Sequence, residues 1–443
     1  MLRDYQQDAV DIALEKRRGL LVLPTGSGKS HVIAGIVNGI EGNTVILQPT
    51  KEILESNYQK IKQAGFRGAT IFSASCNEKR IGKATYGTIG SVIKHIERFR
   101  PLEAIIVDEA HLTNARGGQY DDFIKALDPP MLIGLTATPY RLYTNREWGS
   151  SVKMLHRTRP RIFRDILHVT QCSELAATGY LHRPSYVVSE AGDTSILQAN
   201  TTGNEYTEDS IRSYLSAIDA PGRILAAAQD AVGRGRQHLL IFTPTLAESA
   251  KAVVLLNDVC IKSETVSAKT SKRERSLKLA RFRSGMTMAM VNVGILTTGF
   301  DFPRLDCIIS ARPTMSLALY YQIIGRGVRP SPSKDELLVY DLVDNYSRFG
   351  DPVDMRIVAD ATGQYDVLSA TGRLTGRDIL AEPETQERIR FGRFKGQELQ
   401  DVDTEYLEQY CRKCKLSPTW HMFNFELLRR RIWKPRVNGE LMS

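Results

Sequence analysis

The chain has 443 residues, 42% hydrophobic and 25% charged, which is too long for one ordinary core and enough for two or three domains. Lysine and arginine outnumber aspartate and glutamate 59 to 50, a basic balance that points to a polyanionic partner. No apolar run reaches the ~18–20 residues that span a bilayer, the start Met1-Leu-Arg-Asp-Tyr-Gln-Gln has no signal-peptide stretch, and six scattered cysteines outline no disulfide framework, so a reducing, cytoplasmic setting without a membrane partner is expected.

From 19 to 135, short apolar runs alternate with helical stretches. The runs are Gly19-Leu-Leu-Val-Leu23, Thr44–Leu47, Ala69–Phe72, Ala104–Val107 and Met131–Leu135, with helices expected over 29–40 and 50–64. Such alternation predicts a parallel sheet covered by helices. Residues 141–190 are basic and irregular, with seven basic against two acidic residues between 141 and 168. The polar stretch Gly192–Asp209 reads as a loop or insertion. The strand–helix pattern then returns, with runs at His238–Phe242, Glu264–Ser267, Met288–Val291, Cys307–Ile309 and Leu337–Tyr340 and helices at 245–257, 271–284 and 316–325. After about residue 350 it fades. The expected fold class is α/β, with one lobe over 1–168, a second over 169–350 and a small basic extension over 351–443.

Chemistry concentrates at three places. Pro24-Thr25-Gly26-Ser27-Gly28-Lys29-Ser30 follows the first apolar run. Glycines there let backbone N–H groups approach phosphate oxygens, Lys29 reaches the β/γ-phosphates, and the Ser30 hydroxyl is placed to ligate Mg²⁺. The strict phosphate-loop pattern has glycine where this chain has Leu23. Second, Asp108-Glu109-Ala-His111 follows the run Ala104–Val107. Asp108 at a strand end completes a Mg²⁺ shell and Glu109 polarises an attacking water. Third, Arg326 and Arg329, at i and i+3, share one face of a helical turn after Gly325 in the second lobe. Both can reach an interlobe cleft and stabilise a phosphoryl transition state.

These blocks resemble, in order, the motifs of superfamily 2 helicases and translocases of the DEAH type, over about residues 3–345. The resemblance implies two tandem RecA-like lobes and ATP hydrolysis with Mg²⁺. It implies that Arg3 and Gln6 recognise adenine, and that Thr25, Gly26, Ser27, Gly28, Lys29 and Ser30 hold the phosphates. Pro49, Thr50 and Thr88 in lobe one, and Thr243 and Thr297 in lobe two, would hold a sugar–phosphate backbone. Thr136 and Thr138, with His111, would couple hydrolysis to lobe movement. Gly299, Asp301, Gln322, Arg326 and Arg329 would close on the nucleotide from lobe two.

Within the superfamily the chain looks most like the RadD-like helicases and the recombination and branch-migration helicases of tailed phages. The residues that carry this are Thr136-Ala-Thr-Pro-Tyr-Arg141, Gly179-Tyr-Leu181, Val293-x-x-Leu296-Thr-Thr-Gly-Phe-Asp301, Arg312-Pro-Thr314 and Tyr321-Gln-Ile-Ile-Gly-Arg-Gly-Val-Arg329. Arg141 joins the expected nucleic-acid contacts on this basis. The implied partner is DNA, forked or branched and bound without sequence preference, the implied roles are recombination, repair or replication, and a monomer is expected. Two alternatives stay open at this level: an RNA helicase, and a duplex translocase that separates no strands. RadD-like proteins carry a C-terminal zinc region. Here only Cys411, Cys414 and His421 stand near one another, three ligands where a structural zinc uses four, so zinc is not expected. The tail from 411 to 443, with eight basic and two acidic residues among Trp420, Phe423, Phe425 and Trp433, is expected to contact DNA or to pack on lobe two through Phe423, Leu427 and Leu428.

Overall fold

The computed structural model describes residues 2–63, 65–113, 117–145, 149–158, 161–189, 192–201, 205–297, 300–359, 365–368, 394, 397, 402–413, 436–437 and 440–441. In chain order the first part contains α1 (Asp4–Lys16), β1 (Arg18–Val22), α2 (Lys29–Asn38), β2 (Thr44–Gln48), α3 (Lys51–Gln63), β3 (Ala69–Ser73), β4 (Glu78–Lys79), β5 (Ala84–Thr88), α4 (Ile89–Val92), β6 (Ala104–Asp108), α5 (Gln119–Leu127) and β7 (Met131–Thr136). A hairpin of β8 (Tyr140–Asn145) and β9 (Gly149–Met154) follows, then β10 (Ile166–Val169), α6 (Cys172–Ala177) and β11 (Pro184–Val188). The second part holds α7 (Glu208–Ala217), α8 (Ala220–Gly233), β12 (Leu239–Phe242), α9 (Leu246–Asp258), β13 (Ser263–Ser267), α10 (Lys272–Ser284), β14 (Ala289–Val293), β15 (Cys307–Ser310), α11 (Leu317–Ile324), β16 (Leu337–Asp341) and α12 (Asn345–Phe349). A second hairpin, β17 (Arg356–Ala359) and β18 (Tyr365–Leu368), comes after them.

Two sheets result. The first runs β10-β1-β7-β6-β2-β5-β3-β4, parallel throughout except for β4 against β3. The second runs β11-β16-β15-β12-β14-β13 and is wholly parallel. Parallel strands covered on both faces must be apolar throughout, and the side chains divide by the two-residue period of a strand. Leu21, Ile46, Ile106 and Ile133 meet α1, α2 and α3 on one face of the first sheet. Leu20, Val22, Val45, Leu47, Ile105 and Val107 turn to the other face, into an apolar cluster that continues through Leu181 to Tyr321, Ile324 and Val328 of the second lobe. Each such buried leucine or isoleucine contributes ~1.5–3 kcal/mol of burial. The lobes therefore share a continuous apolar contact.

The region 141–190, expected to be irregular, is ordered into β8 to β11 and α6, because β10 adds to the edge of the first sheet and β11 to the second. Helices α7 and α8 were not foreseen. The breaker-like pair Pro221-Gly222 falls in the first turn of α8, where proline loses no hydrogen bond, and Asp219 caps the Gly222 N–H. The polar stretch after Gly192 is tied down as well: the Glu205 carboxylate accepts from Thr314 Oγ1 (2.7 Å) and the Met315 N–H (3.0 Å). The antiparallel pair β17 and β18 lies against lobe one. The Gln171 amide donates to the Ile357 carbonyl (2.7 Å) and accepts the Ile357 N–H (3.1 Å), and Arg157 pairs with Asp366 at 3.1 Å in a buried setting.

Candidate functional site

The first lobe gathers its polar residues at the carboxyl ends of parallel strands, where open α/β sheets bind ligands. The segment 24–28 leaves β1 and enters α2 at Lys29. Asp108 ends β6 and Thr136 ends β7, so only β7 separates the phosphate-loop strand from the acidic pair. First-turn N–H groups of a helix lack intrahelical acceptors, so the start of α2 is suited to phosphate. Among the described residues Ser27 Oγ and Thr138 Oγ1 are buried without a hydrogen-bond partner.

Glu109 sits at φ 49° and ψ 51°, in the left-handed region, a strain of about 1–3 kcal/mol for a non-glycine residue. Its own N–H donates to Asp108 Oδ1 (2.9 Å), which fixes that turn. Lys29 Nζ lies 3.7 Å from Glu109 Oε1, and His111 Nδ1 3.3 Å from Oε2. Burial works to raise the Glu109 pKa, but Lys29, His111 and Arg326 outweigh it and hold the carboxyl below the usual carboxylate range. Burial and the neighbouring Glu109 push Asp108 the other way, up to about 7. Two adjacent carboxyl groups thus have opposite environments, a pattern typical of catalytic sites.

The residues fit a hard divalent cation. Ser30 Oγ donates to Asn57 Oδ1 (2.7 Å), and Asn57 Nδ2 donates to Asp108 Oδ2 (3.1 Å), so a hydroxyl and a carboxylate lie either side of one amide. Oxygen donors of this kind suit Mg²⁺.

Beside the loop, the Arg3 N–H donates to Gln6 Oε1 (3.1 Å) and Gln6 Nε2 donates to the Ser27 carbonyl (2.8 Å). Gln6 thereby grips the phosphate loop, turns its other N–H to Tyr5 OH (3.5 Å) and keeps one lone pair for a ligand. Tyr5 OH also donates to the Ser27 carbonyl (2.6 Å). The Arg3 guanidinium lies 4.0 Å over the ring of Tyr180, a cation–π contact.

Lobe two closes the site. A Cβ on Gly325 would stand 2.8 Å from Thr25 Cβ, so glycine is required where α11 ends on the phosphate loop. Gly26, at φ +90°, faces the Arg329 side chain, whose Cγ would lie 3.0 Å from a Cβ there. Arg329 pairs with Asp301, and Asp301 also takes Lys60 of α3 at 2.9 Å. Arg326 is buried, and its guanidinium donates to the carbonyls of Phe300 and Gln322 at 3.2 Å each. Burial lowers its pKa to about 10, which leaves it charged at neutral pH. Gln322 Nε2 reaches His111 Nε2 across the cleft at 3.2 Å. Burial also lowers the His111 pKa, so its ring is neutral; with Nε2 accepting from Gln322, the proton is on Nδ1, 3.0 Å from Thr136 Oγ1. The Thr138 N–H donates to the same Thr136 oxygen (3.0 Å). Gly299 lies outside the described residues.

The expected nucleic-acid residues fall into two groups. Pro49 and Thr50 follow β2 and Thr88 ends β5, with Gln48 and Thr88 paired in register. Thr243 follows β12, and Thr297 follows β14 on the adjacent strand. Arg141 stands apart from both: its Nε donates to the His111 carbonyl, beside the acidic pair. Cys414 and His421 lie outside the described residues, as do the Cys411 side chain and the aromatic tail. Among the described residues no helix is long and apolar enough to cross a membrane.

Two contributors carried no motif signal: Asn57 and Asn292. The last accepts the N–H groups of Ile295 (3.2 Å) and Leu296 (3.0 Å), shaping the turn before Thr297. An asparagine ending the run Ala289-Met-Val is the trace it left, since strands disfavour asparagine.

Two stretches of the chain match known families. Residues 1–141 match the family "Type III restriction enzyme, res subunit", and residues 225–331 match "Helicase conserved C-terminal domain". The DNA 3'-5' translocase XPB2 of Sulfurisphaera tokodaii is 34% identical over 377 residues, covering 76% of this chain and 80% of that protein. IRC3 of Saccharomyces cerevisiae, which carries an ATP-dependent helicase name, is 25% identical over 390 residues; the match takes in 77% of this chain but only 51% of the yeast protein. The solved ATP-dependent Type ISP restriction-modification enzyme LlaBIII bound to DNA shares the fold at TM-score 0.55 and 17% identity, over 77% of this chain and 28% of its own. With tandem lobes, the glycine-rich loop and acidic pair in one and the arginines in the other, the chain belongs to the superfamily 2 helicases and has their two RecA-like domains.

Proposed function

We propose that the chain is an ATP-dependent DNA helicase or translocase that hydrolyses Mg·ATP between its lobes and moves along DNA. The observation that carries the reading is the line Lys29–Glu109–His111–Gln322, at 3.7, 3.3 and 3.2 Å, which ties an acidic residue beside the phosphate loop to the facing lobe. In this reading Lys29 supplies fixed positive charge to the β/γ-phosphates. Glu109, ionised by its cationic neighbours, orients the attacking water and takes its proton. Arg326 and Arg329 offset charge that builds on the γ-phosphoryl oxygens. A magnesium ion held by Ser30 and Asp108 would offset phosphate charge from the lobe-one side. Loss of the γ-phosphate removes what draws the arginines inward, and His111 with Thr136 and Thr138 passes the change to the strand ends that hold the nucleic acid.

Pro49, Thr50 and Thr88, with Thr243 and Thr297, are assigned to the sugar–phosphate backbone, so binding should depend little on base sequence. DNA is favoured because XPB2 is named a DNA translocase and matches over most of both chains. A forked or branched substrate, with a role in recombination or repair, is the finer form of the proposal. Hydrolysis should be measured with single-stranded DNA, duplex DNA, forked DNA and RNA in parallel. The reading predicts stimulation by DNA over RNA, greatest with the fork. Equal or greater stimulation by RNA would replace it with an RNA helicase.

A further inference from the structure

Asn57 lies on α3 within a stripe of buried residues formed by Ile53, Leu54, Tyr58 and Ile61, and is itself only 7% exposed. A buried amide costs ~1–3 kcal/mol unless its hydrogen bonds are made. Here they are made to three polar groups at the site. Oδ1 accepts from Ser30 Oγ (2.7 Å), while Nδ2 donates to Asp108 Oδ2 (3.1 Å) and Gln48 Oε1 (3.2 Å). The amide nitrogen faces Asp108 and the amide oxygen faces Ser30. The Ser30 hydroxyl donates its hydrogen to Asn57, which leaves lone pairs for a cation. The other Asp108 oxygen is held by the Glu109 N–H (2.9 Å).

We propose that Asn57 is a positioning residue for the divalent cation of the ATPase site, presetting Ser30 and Asp108 as an aligned pair of oxygen ligands. The proposal rests on reading the site as one that uses Mg·ATP. The helix that carries Asn57 is also gripped by lobe two: Lys60 pairs with Asp301 (2.9 Å) and Glu52 with Arg275 (3.6 Å). Ligand alignment is therefore built on an element that senses lobe closure.

The test uses Mn²⁺ as the probe, with binding followed by electron paramagnetic resonance in the presence of a non-hydrolysable ATP analogue. Wild type, Asn57→Ala, Asn57→Ser and Ile53→Ala are compared, each with its melting temperature. Partners that orient metal ligands are worth about 10–100-fold in metal affinity, so Asn57→Ala should bind Mn²⁺ about tenfold more weakly. Asn57→Ser, which leaves a smaller gap and a hydroxyl able to serve one partner, should lose less and remain folded if the alanine variant does not. Ile53→Ala removes buried volume from the same helix and should lower the melting temperature while leaving Mn²⁺ affinity within about twofold. In turnover, the Mg²⁺ needed for half-maximal hydrolysis should rise about tenfold in Asn57→Ala, and excess Mg²⁺ should restore most of kcat. Mn²⁺ affinity unchanged in both Asn57 variants overturns the proposal. Failure of the wild type itself to bind Mn²⁺ with the nucleotide overturns the ATPase reading beneath it, and that result is seen without any substitution.

Discussion

Glu109 is held in a left-handed turn between a lysine, a histidine and the carboxylate of its own neighbour, a strained arrangement that fixes one oxygen toward Lys29. A base held this way should be replaceable for binding but not for turnover. Glu109→Gln is expected to keep Mg·ATP affinity while kcat falls ~10²–10⁴-fold, the range for a positioned general base; equilibrium nucleotide binding and steady-state hydrolysis on one preparation check it. Lys29→Ala should abolish hydrolysis. Arg329→Ala should cut kcat by about 10³ or more with KM moved only a few-fold, because its charge is placed for the transition state. A raised KM at unchanged kcat would make Arg329 a ground-state binding group. His111 adds a pH dependence whose sign follows from its lowered pKa. Protons bind the unfolded chain before the folded one, so stability from this group is constant above the ordinary value of 6.5 and falls as pH drops below it. Denaturant unfolding between pH 8 and 5, alongside His111→Gln, should show that loss in the wild type and less of it in the variant.

At the scale of elements, the hairpin β17–β18 fastens the end of lobe two to lobe one through Gln171, Arg157 and Asp366. Breaking a buried ion pair by removing one partner costs ~3–5 kcal/mol because a buried charge is left behind. Arg157→Leu should therefore lower stability by several kcal/mol, and a double-mutant cycle with Asp366→Leu should return a coupling near the top of the ~0.5–3 kcal/mol range for contacting residues. A coupling near zero would show that the two side chains act independently. This hairpin and the strands of 141–190 were not legible in the sequence, because short pieces rich in polar residues carry little apolar periodicity and their pairing is decided by distant partners. The central strands of both sheets were legible, since burial on two faces demands unbroken apolar runs such as Ala104–Val107 and Leu337–Tyr340. The site divides in the same way. Gly26, Lys29, Asp108 and Arg329 announce themselves because phosphate chemistry needs those residue types at those spacings. Asn57 does not, since one asparagine in a helical stripe looks neutral until Ser30 and Asp108 are seen on either side of it.

For the whole molecule, the apolar cluster through Leu181 and Tyr321, the Gln322–His111 bond and the Lys60–Asp301 pair all favour lobes in contact. Under the proposed function, motion along DNA requires that hydrolysis loosen this set and that a new ATP restore it. The basic tail adds a prediction of its own. Removing residues after about 408 should weaken DNA binding, and if half of the eight basic residues from 411 onward touch phosphates, the slope of log K against log salt should fall by roughly three units. An unchanged slope in a protein of lowered melting temperature would instead assign the tail to packing. The most direct test of the central claim is strand displacement on a forked DNA with Mg·ATP, by the wild type and by Glu109→Gln. The account predicts displacement by the wild type only, dependent on hydrolysable ATP. Displacement that persists with the non-hydrolysable analogue, or that Glu109→Gln carries out at the wild-type rate, would contradict it.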